Sequence, residues 1–371
     1  MDEIPGVEAE AQGVAELIVR ENEPLNLESP FYVLESFLTP NELFYVRNHF
    51  PIPRLDASSY RLRIEGAVEK PLTISYDELR AMPSQTAAVT LECAGNGRTF
   101  LMPQKSGVQW ELGAVGTAEW TGVPLRDLLE RAGVSEGAVE VVLEGADQGE
   151  PVNIPKPPRP IPFARSLPIA KARCGDVLVA YQMNARDLPI EHGFPIRAIV
   201  PGYYGMASVK WLTRIEVITE PFHGYWQTTE YAYWDARGVI PVRRPMHSMM
   251  VKSAIARPRM HELIPPDTVY PVFGAAWTGD ADITQVEIST DGGDTWETVR
   301  LKDDVLPNAW RRWEYEWRTP SNPGKYKVIA RAKDSAGSVQ GHEHDANYGS
   351  YGIHHAVPIQ VFVGRSMSAF R

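Results

Sequence analysis

The chain has 371 residues, 43% of them hydrophobic and 23% charged, an ordinary balance for a globular protein of two domains or one large one. A net charge of −10 argues against nucleic acid as a partner. Two cysteines, Cys93 and Cys174, are too few for a disulfide framework and fit a reducing compartment.

Residues 1 to about 30 are polar and acidic and read as an extended arm. They show no basic n-region, no long apolar core and no twin-arginine signal. No apolar run approaches the ~20 residues that span a membrane. The reading is a soluble, cytoplasmic protein, or a periplasmic one if a signal peptide has been removed. Thr39-Pro40-Asn41-Glu42 predicts a helix start, with Thr39 as cap and Glu42 completing a capping box, running into Arg47. Ser59 to Val68 alternates as a strand. Ser75-Tyr76-Asp77-Glu78 is a second capping box, opening a helix to about Met82. Ala88, Val89 and Leu91 make a strand that ends at Cys93, and Ala94-Gly95-Asn96-Gly97-Arg98 follows as a tight polar turn. Such a turn puts the sulfur at a sheet edge. Gly95 and Gly97 allow positive φ and inward N–H groups, and Arg98 adds the positive surroundings a thiolate needs. The plain alternative is a buried cysteine closing a core strand; the polar, cationic turn weighs against it.

Val123 to Ala132, closed by Gly133, predicts an amphipathic helix with Leu125, Leu128 and Leu129 inward. Val139 to Glu144 is an apolar strand. Residues 147–168 hold seven prolines and are expected to stay extended, without a ladder, as a wall or lid of a site or else as a stiff surface connection. Val177–Gln182, Pro195–Val200 and Val209–Thr219 are further strands. No strict βαβ period and no G-x-G-x-x-G occurs, which argues against a nicotinamide-binding Rossmann unit. From about Pro245 the pattern becomes short strands between turns: Val269–Trp277, Ile283–Ser289, Trp296–Leu301, Trp310–Arg318, Gly324–Lys333 and Val357–Val363. That spacing suits a β-sandwich. The boundary falls near Pro241–Ser253, giving domains 1–244 and 245–371. Within the second, Ser289 to Trp296 reads S-x-D-x-G-x-T-W, a single copy of a motif that a propeller would repeat in every blade, and so a stiff hairpin.

Four segments in chain order carry a resemblance. Leu91 to Arg98, LECAGNGR, resembles the cysteine motif of the sulfite oxidase family of molybdenum enzymes. Phe44 to Pro53, FYVRNHFPIP, resembles that family's early RNH segment. Glu191 to Arg197, EHGFPIR, resembles its HGFPxR segment, and Pro201–Gly205 with Ser208–Leu212 resembles the pterin-binding turn after it. The resemblance covers about Phe44 to the C-terminus. It implies an α+β chain, with a mixed α/β molybdopterin-binding domain followed by an immunoglobulin-like β-sandwich that dimerises.

In that family the cysteine sulfur binds molybdenum held by a pterin dithiolene, and the metal transfers an oxo group. The resemblance thus gives Cys93 as the metal ligand, and molybdenum and molybdopterin as cofactors; a soft thiolate suits the metal. Cys174 matches no motif and reads as structural. Tyr45, Val46, Arg47, Asn48, His49, Asp147, His192, Arg197, Ser208, Val209 and Lys210 fall at the family's cofactor contacts, among them the residue types that bind a phosphate. Arg47 and Arg98 match positions that face the substrate oxyanion. Tyr231 matches the active-site tyrosine, with Tyr233 the alternative if the register slips. The implied reaction is sulfite to sulfate, with an external electron acceptor such as a cytochrome. A homodimer through residues after about Pro245 is expected, on the reading that Trp296, Trp310, Trp313 and Trp317 are exposed aromatics. There is one departure: the family's substrate arginine near the C-terminus is missing from Asn347–His355, where only His354 or His355 could substitute. Other readings keep the cofactor but reduce a sulfoxide or another oxyanion, use Cys93 and His192 as nucleophile and base without a G-x-C-x-G elbow, or make the chain a cofactor-free interaction module.

Overall fold

A computed structural model describes residues 15–367. Of the expected acidic arm, residues 1–14 lie outside the described residues, and the rest is not an arm. Strands β1 (Ile18–Asn22) and β2 (Leu25–Glu28) form a hairpin. Its polar residues are spent inward: Asn26 and Glu28 are buried, and Glu28 accepts from the Gly113 N–H at 2.7 Å while pairing with Arg20. The helix expected after Thr39 is also absent. Residues Asn41–Leu43 make a single 3-10 turn with no side-chain cap. Thr39 Oγ1 instead accepts from the Thr117 N–H at 3.3 Å, so the cap is taken by a neighbouring strand.

Two five-stranded sheets form the N-terminal part. The strands are β3 (Arg61–Gly66), β4 (Leu72–Ser75), β5 (Gln85–Glu92), β6 (Val115–Pro124), β7 (Glu140–Gly149), β8 (Ile161–Pro168), β9 (Leu178–Met183), β10 (Arg186–Asp187), β11 (Arg197–Ile199) and β12 (Leu212–Ile218). One sheet runs β10-β9-β6-β5 with β11 beside β9; the other runs β4-β3-β12-β7-β8. Short helices α1 (Tyr76–Arg80), α2 (Leu125–Ala132) and α3 (Ile169–Ala172) cover them. The Ser75 box forms as read: Ser75 Oγ accepts from Glu78 N–H, and the Glu78 carboxylate accepts from Ser75 N–H. In α2, Leu125, Leu128, Leu129 and Ala132 are buried at the i, i+3, i+4, i+7 spacing. Full burial of each leucine contributes about 1.5–3 kcal/mol.

The proline-rich segment does ladder, against expectation. Its last third is β8, paired with β7 from Glu140↔Pro168 to Gly149↔Ile161. β8 lies at the edge of its sheet, where a proline without an N–H is tolerated.

The hairpin of β13 (Ala232–Asp235) and β14 (Val242–Pro245) leads into the sandwich. One of its sheets runs β15 (Lys252–Arg257), β17 (Val269–Trp277), β21 (Arg311–Arg318), β20 (Arg300–Leu301). The other runs β16 (Leu263–Ile264), β23 (Ile359–Val363), β22 (Gly324–Asp334), β18 (Ile283–Ser289), β19 (Glu297–Thr298). The strand expected over Trp296–Leu301 thus changes sheets midway. The Ser289–Trp296 motif is a hairpin turn: Asp291 accepts from the Thr295 N–H at 3.0 Å, and Gly292 and Gly293 hold φ of +86° and +110°. The tryptophan reading is corrected. Trp310, Trp313 and Trp317 are buried, at 3% exposure or less, and Trp296 is half-buried. Trp313 and Trp317 fill the sandwich core, and Trp310 plugs the junction with the N-terminal part, donating to the Phe37 carbonyl at 2.9 Å.

Candidate active site

β5 is an edge strand, and its final residues place the cysteine. Cys93 N–H donates to the Ala114 carbonyl, and Asn96 N–H donates back to the Cys93 carbonyl, both at 2.9 Å, closing the turn. Gly97 takes φ +98°. A Cβ at Gly95 would lie 2.4 Å from the Arg98 guanidinium, so only glycine lets that side chain fold under the turn. Cys93 is a free thiol, 7% exposed, and it opens onto two cavities. An inner one of about 60 Å³ lies between the sheets, and an outer one of about 500 Å³ forms the mouth. Arg47, His49, Cys93 and Tyr231 line both. The other cysteine, Cys174, is exposed, its thiol on the Ala170 carbonyl at 3.4 Å.

The inner cavity collects Tyr45, Asn48, Asp147, His192, Arg197, Ser208 and Lys210 as well. Lys210 Nζ donates to Asn48 Oδ1 and, at 2.8 Å, to the Glu191 carbonyl. Burial, then Arg197, hold its ammonium well below the usual lysine range. Arg197 braces two turns, donating to the His192 carbonyl at 2.9 Å and the Ser208 carbonyl at 3.0 Å; burial pushes it down to about 10. His192 is pushed down to about 3 by burial and by Lys210 and Arg197. Burial raises Asp147 to about 6, with Lys210 opposing. Two residues of the expected set are not in the lining. Val46 and Val209 are buried in the protein, each 1% exposed. Val46 exchanges backbone hydrogen bonds with Leu27, and the Val209 carbonyl accepts from Ala198 N–H.

Tyr231 follows a single π-helical turn, Trp226–Glu230, a distortion common at functional sites. Its hydroxyl shares a 2.6 Å hydrogen bond with His49 Nε2. His49 is packed on Phe163 and Trp226, each with ring centroids 4.5 Å away. Burial, then Arg47, Lys210 and Arg165, hold His49 well below the usual histidine range, and burial holds the Tyr231 phenol above its own. Both shifts favour the neutral forms, and the histidine tautomer decides which of the two groups donates the bond. Tyr233 points elsewhere, stacked on Tyr348 at 4.6 Å. His354 and His355 line neither cavity. The mouth instead receives Ser350 and Tyr351 from the C-terminal segment. The Tyr351 ring lies 4.8 Å from that of Tyr231, and its hydroxyl donates to Glu230. Glu230 also accepts from Asn153 Nδ2 at 3.0 Å, which ties in the proline-rich segment. Nothing in the sequence singled out Glu230, Asn153 or Tyr351.

Arg98 does not present a free fork. It is 3% exposed and donates to the Val108 carbonyl at 2.6 Å and the Ser350 carbonyl at 3.0 and 3.2 Å, with the Tyr351 ring beside it. Arg47 donates through Nη1 to the Asn48 carbonyl and, at 3.4 Å, to Asn26, and lines both cavities.

The donor set suits a molybdenum held by a pterin. Among the described residues no group of three or more His, Cys, Asp or Glu side chains could hold a metal, so a metal at the Cys93 sulfur must bring its other ligands with it. The inner cavity sets Arg47, Arg197 and Lys210 against the single carboxylate Asp147, an excess of buried positive charge that a phosphate would relieve.

Comparison with known proteins agrees. Residues 49–226 match the oxidoreductase molybdopterin binding domain, and residues 243–361 match the Mo-co oxidoreductase dimerisation domain. The chain is 38% identical over 347 residues to sulfite oxidase of Gallus gallus, covering 87% of this chain and 72% of the relative. It is 34% identical over 343 residues to mitochondrial sulfite oxidase of Mus musculus, but spans only 61% of that protein's length. The sulfane dehydrogenase SoxCD of Paracoccus pantotrophus superposes with a TM-score of 0.79 at 26% identity, over 98% of this chain and 96% of its own. The chain belongs to the sulfite oxidase family of molybdopterin-binding oxidoreductases.

Proposed function

We propose that this protein oxidises sulfite to sulfate and passes two electrons to an external acceptor such as a cytochrome. The observation that carries the reading is the placement of one buried thiol, Cys93, where a cation-rich inner cavity meets an open mouth. Bound molybdenum supplies oxygen-atom transfer and accepts the two electrons. Cys93 is its protein ligand. Tyr45, Asn48, His49, Asp147, His192, Arg197, Ser208 and Lys210 hold the pterin and its phosphate, with Val46 and Val209 behind that lining, their backbone groups on Leu27, Ala198 and Ala207. Arg47 draws the anion in and orients it, because it has donors directed to the cavities. The Tyr231 hydroxyl, fixed by His49, donates to a substrate oxygen or holds a proton beside it. Arg98 acts by setting the Cys93 turn against Ser350. The same reading includes a homodimer through the C-terminal sandwich, with the domain boundary between residues 241 and 253, and two free cysteines support a cytoplasmic compartment.

Purified protein should contain molybdenum and pterin and reduce ferricyanide in a sulfite-dependent way. Cys93→Ala should keep the fold and the pterin, which many other groups hold, and lose turnover. Full activity in that variant would overturn the reading.

A further inference from the structure

We propose that the site also oxidises organic sulfinates, monoanions R–SO2⁻, with the sulfur beside Arg47 and R along the mouth; this rests on the sulfur-oxidising reading above. Three observations carry it.

The first is size. The mouth holds about 500 Å³ of space for water-sized groups, whereas sulfite has only four heavy atoms and one water needs about 10–15 Å³ on the same measure. The second is chemistry. One wall is Pro151, Val152 and Ile154, and Tyr225 and Trp226 continue it towards Tyr231. Val152 and Ile154 are 86% and 84% exposed, so their side chains are open to a ligand. The lining as a whole is mixed, and this apolar wall is the part of it that a hydrocarbon R group can cover. The third is charge. The lining holds three arginines and two carboxylates. Arg98 is spent on carbonyls, and Arg243 donates to the carbonyls of Thr228 and Thr229. Glu21 accepts from Asn26, while Glu230 sits at the rim on Asn153 and Tyr351. Three arginines against two carboxylates leave a single positive charge in excess, which suits one negative charge better than two. An apolar R gains the wall that sulfite leaves unused.

The reaction balances as R–SO2⁻ + H2O → R–SO3⁻ + 2 H⁺ + 2 e⁻. One S–O bond forms, both O–H bonds of water break, and two equivalents of a one-electron acceptor such as ferricyanide take the electrons.

The test uses the molybdenum-loaded protein with sulfite and with benzenesulfinate, ferricyanide as acceptor, and calorimetric titration of benzenesulfinate as a binding readout. Benzenesulfinate should bind and be turned over with kcat/KM within about tenfold of that for sulfite. Val152→Asp with Ile154→Asp places carboxylates on the wall. The ratio of kcat/KM, benzenesulfinate over sulfite, should then fall by about tenfold and benzenesulfinate affinity should fall with it. Glu230→Gln should shift the same ratio towards sulfite. Turnover of sulfite without binding or turnover of benzenesulfinate at millimolar concentration overturns this inference and leaves the proposed function standing. A ratio unmoved by the wall variant also overturns it. Turnover of neither substrate overturns the sulfur-oxidising reading itself.

Discussion

Arg47 and Arg98 stand as equal cations in their motifs, and the fold separates them. Arg98 is buried with its donors on the Val108 and Ser350 carbonyls, while Arg47 faces both cavities. A charge pair at about 4 Å is worth roughly 4 kcal/mol at an effective dielectric near 20, and desolvation of the anion lowers this to about 1–3 kcal/mol. Arg47→Ala should therefore raise the sulfite KM by about one to two orders of magnitude, with a smaller loss of melting temperature than Arg98→Ala, since only its Nη1 is bonded within the protein. Arg98→Ala should do the reverse: stripping donors from buried carbonyls costs about 1–3 kcal/mol, visible as a lower melting temperature. Steady-state kinetics and melts on the two variants decide it, and the opposite pattern would exchange their roles. His247 gives a pH signature at the same scale. Burial, then Arg165, push it down to about 4, and its Nδ1 has no partner among the described residues. The unfolded chain takes up this proton near pH 6.5 and the folded chain only near 4, so stability falls as pH drops through that window. The slope is at most about 1.4 kcal/mol per pH unit, and less for a ring that is partly exposed. His355, also near 4, adds to the fall, and Asp147, raised to about 6, opposes it. Melting His247→Phe beside the unaltered protein from pH 4 to 8 should show a flatter acid limb in the variant; parallel curves would remove His247 from the account.

At the scale of elements, what the sequence made legible was whatever local chemistry decides. β17 and β18 have the bounds that the turn signals around them gave, and the Ser75 capping box closes on itself within four residues. The motif segments likewise brought Tyr45, Arg47, Asn48, His49, Cys93, His192, Arg197, Ser208 and Lys210 to one cavity. The failures share a cause: a distant partner took the group. Thr39 lost its capping role to Thr117 of β6, 78 residues away. Pro162 and Pro168 entered a ladder because β8 is an edge, a fact of sheet order. Residues 296–301 were one strand in pattern, yet Val299 is buried where the chain passes between sheets, so β19 pairs β18 and β20 pairs β21. In the site, Val46 and Val209 lie in motifs but are buried behind the lining, because backbone contacts to distant residues, a bridge to Leu27 and a hydrogen bond from Ala198, hold them there. Glu230 escaped notice because its partners Asn153 and Tyr351 are 77 and 121 residues away.

At the scale of the whole molecule, a buried ammonium ties the sandwich to the cysteine turn. Lys252, on β15 of the sandwich, is 2% exposed and donates to Glu92 Oε1 at 2.8 Å, the Asn96 carbonyl at 2.9 Å and the Ile353 carbonyl at 2.7 Å. Glu92 precedes the cysteine, and its second oxygen accepts from Trp277 Nε1 at 2.9 Å. Asn96 ends the cysteine turn, and Ile353 lies two residues beyond Tyr351. All three donors of the ammonium are used, and the sandwich thereby fixes both the Cys93 turn and the segment that lines the mouth. Gly352 N–H on the Ala94 carbonyl, at 2.8 Å, adds a second tie between the same two pieces. Removing one partner of a buried pair leaves the other charge unpaired, at a cost of about 3–5 kcal/mol. Lys252→Met should lower stability by that amount in denaturant melts, and the purified variant should hold less molybdenum because the turn carrying Cys93 is no longer braced. Adding Glu92→Gln removes the stranded carboxylate, so the double variant should recover part of the stability, with a coupling energy above about 1 kcal/mol in the cycle. Molybdenum content should stay low in the double variant, since the Asn96 and Ile353 carbonyls remain without their donor. A Lys252→Met protein with unchanged midpoint and full molybdenum would show that the sandwich does not position the cysteine through this contact.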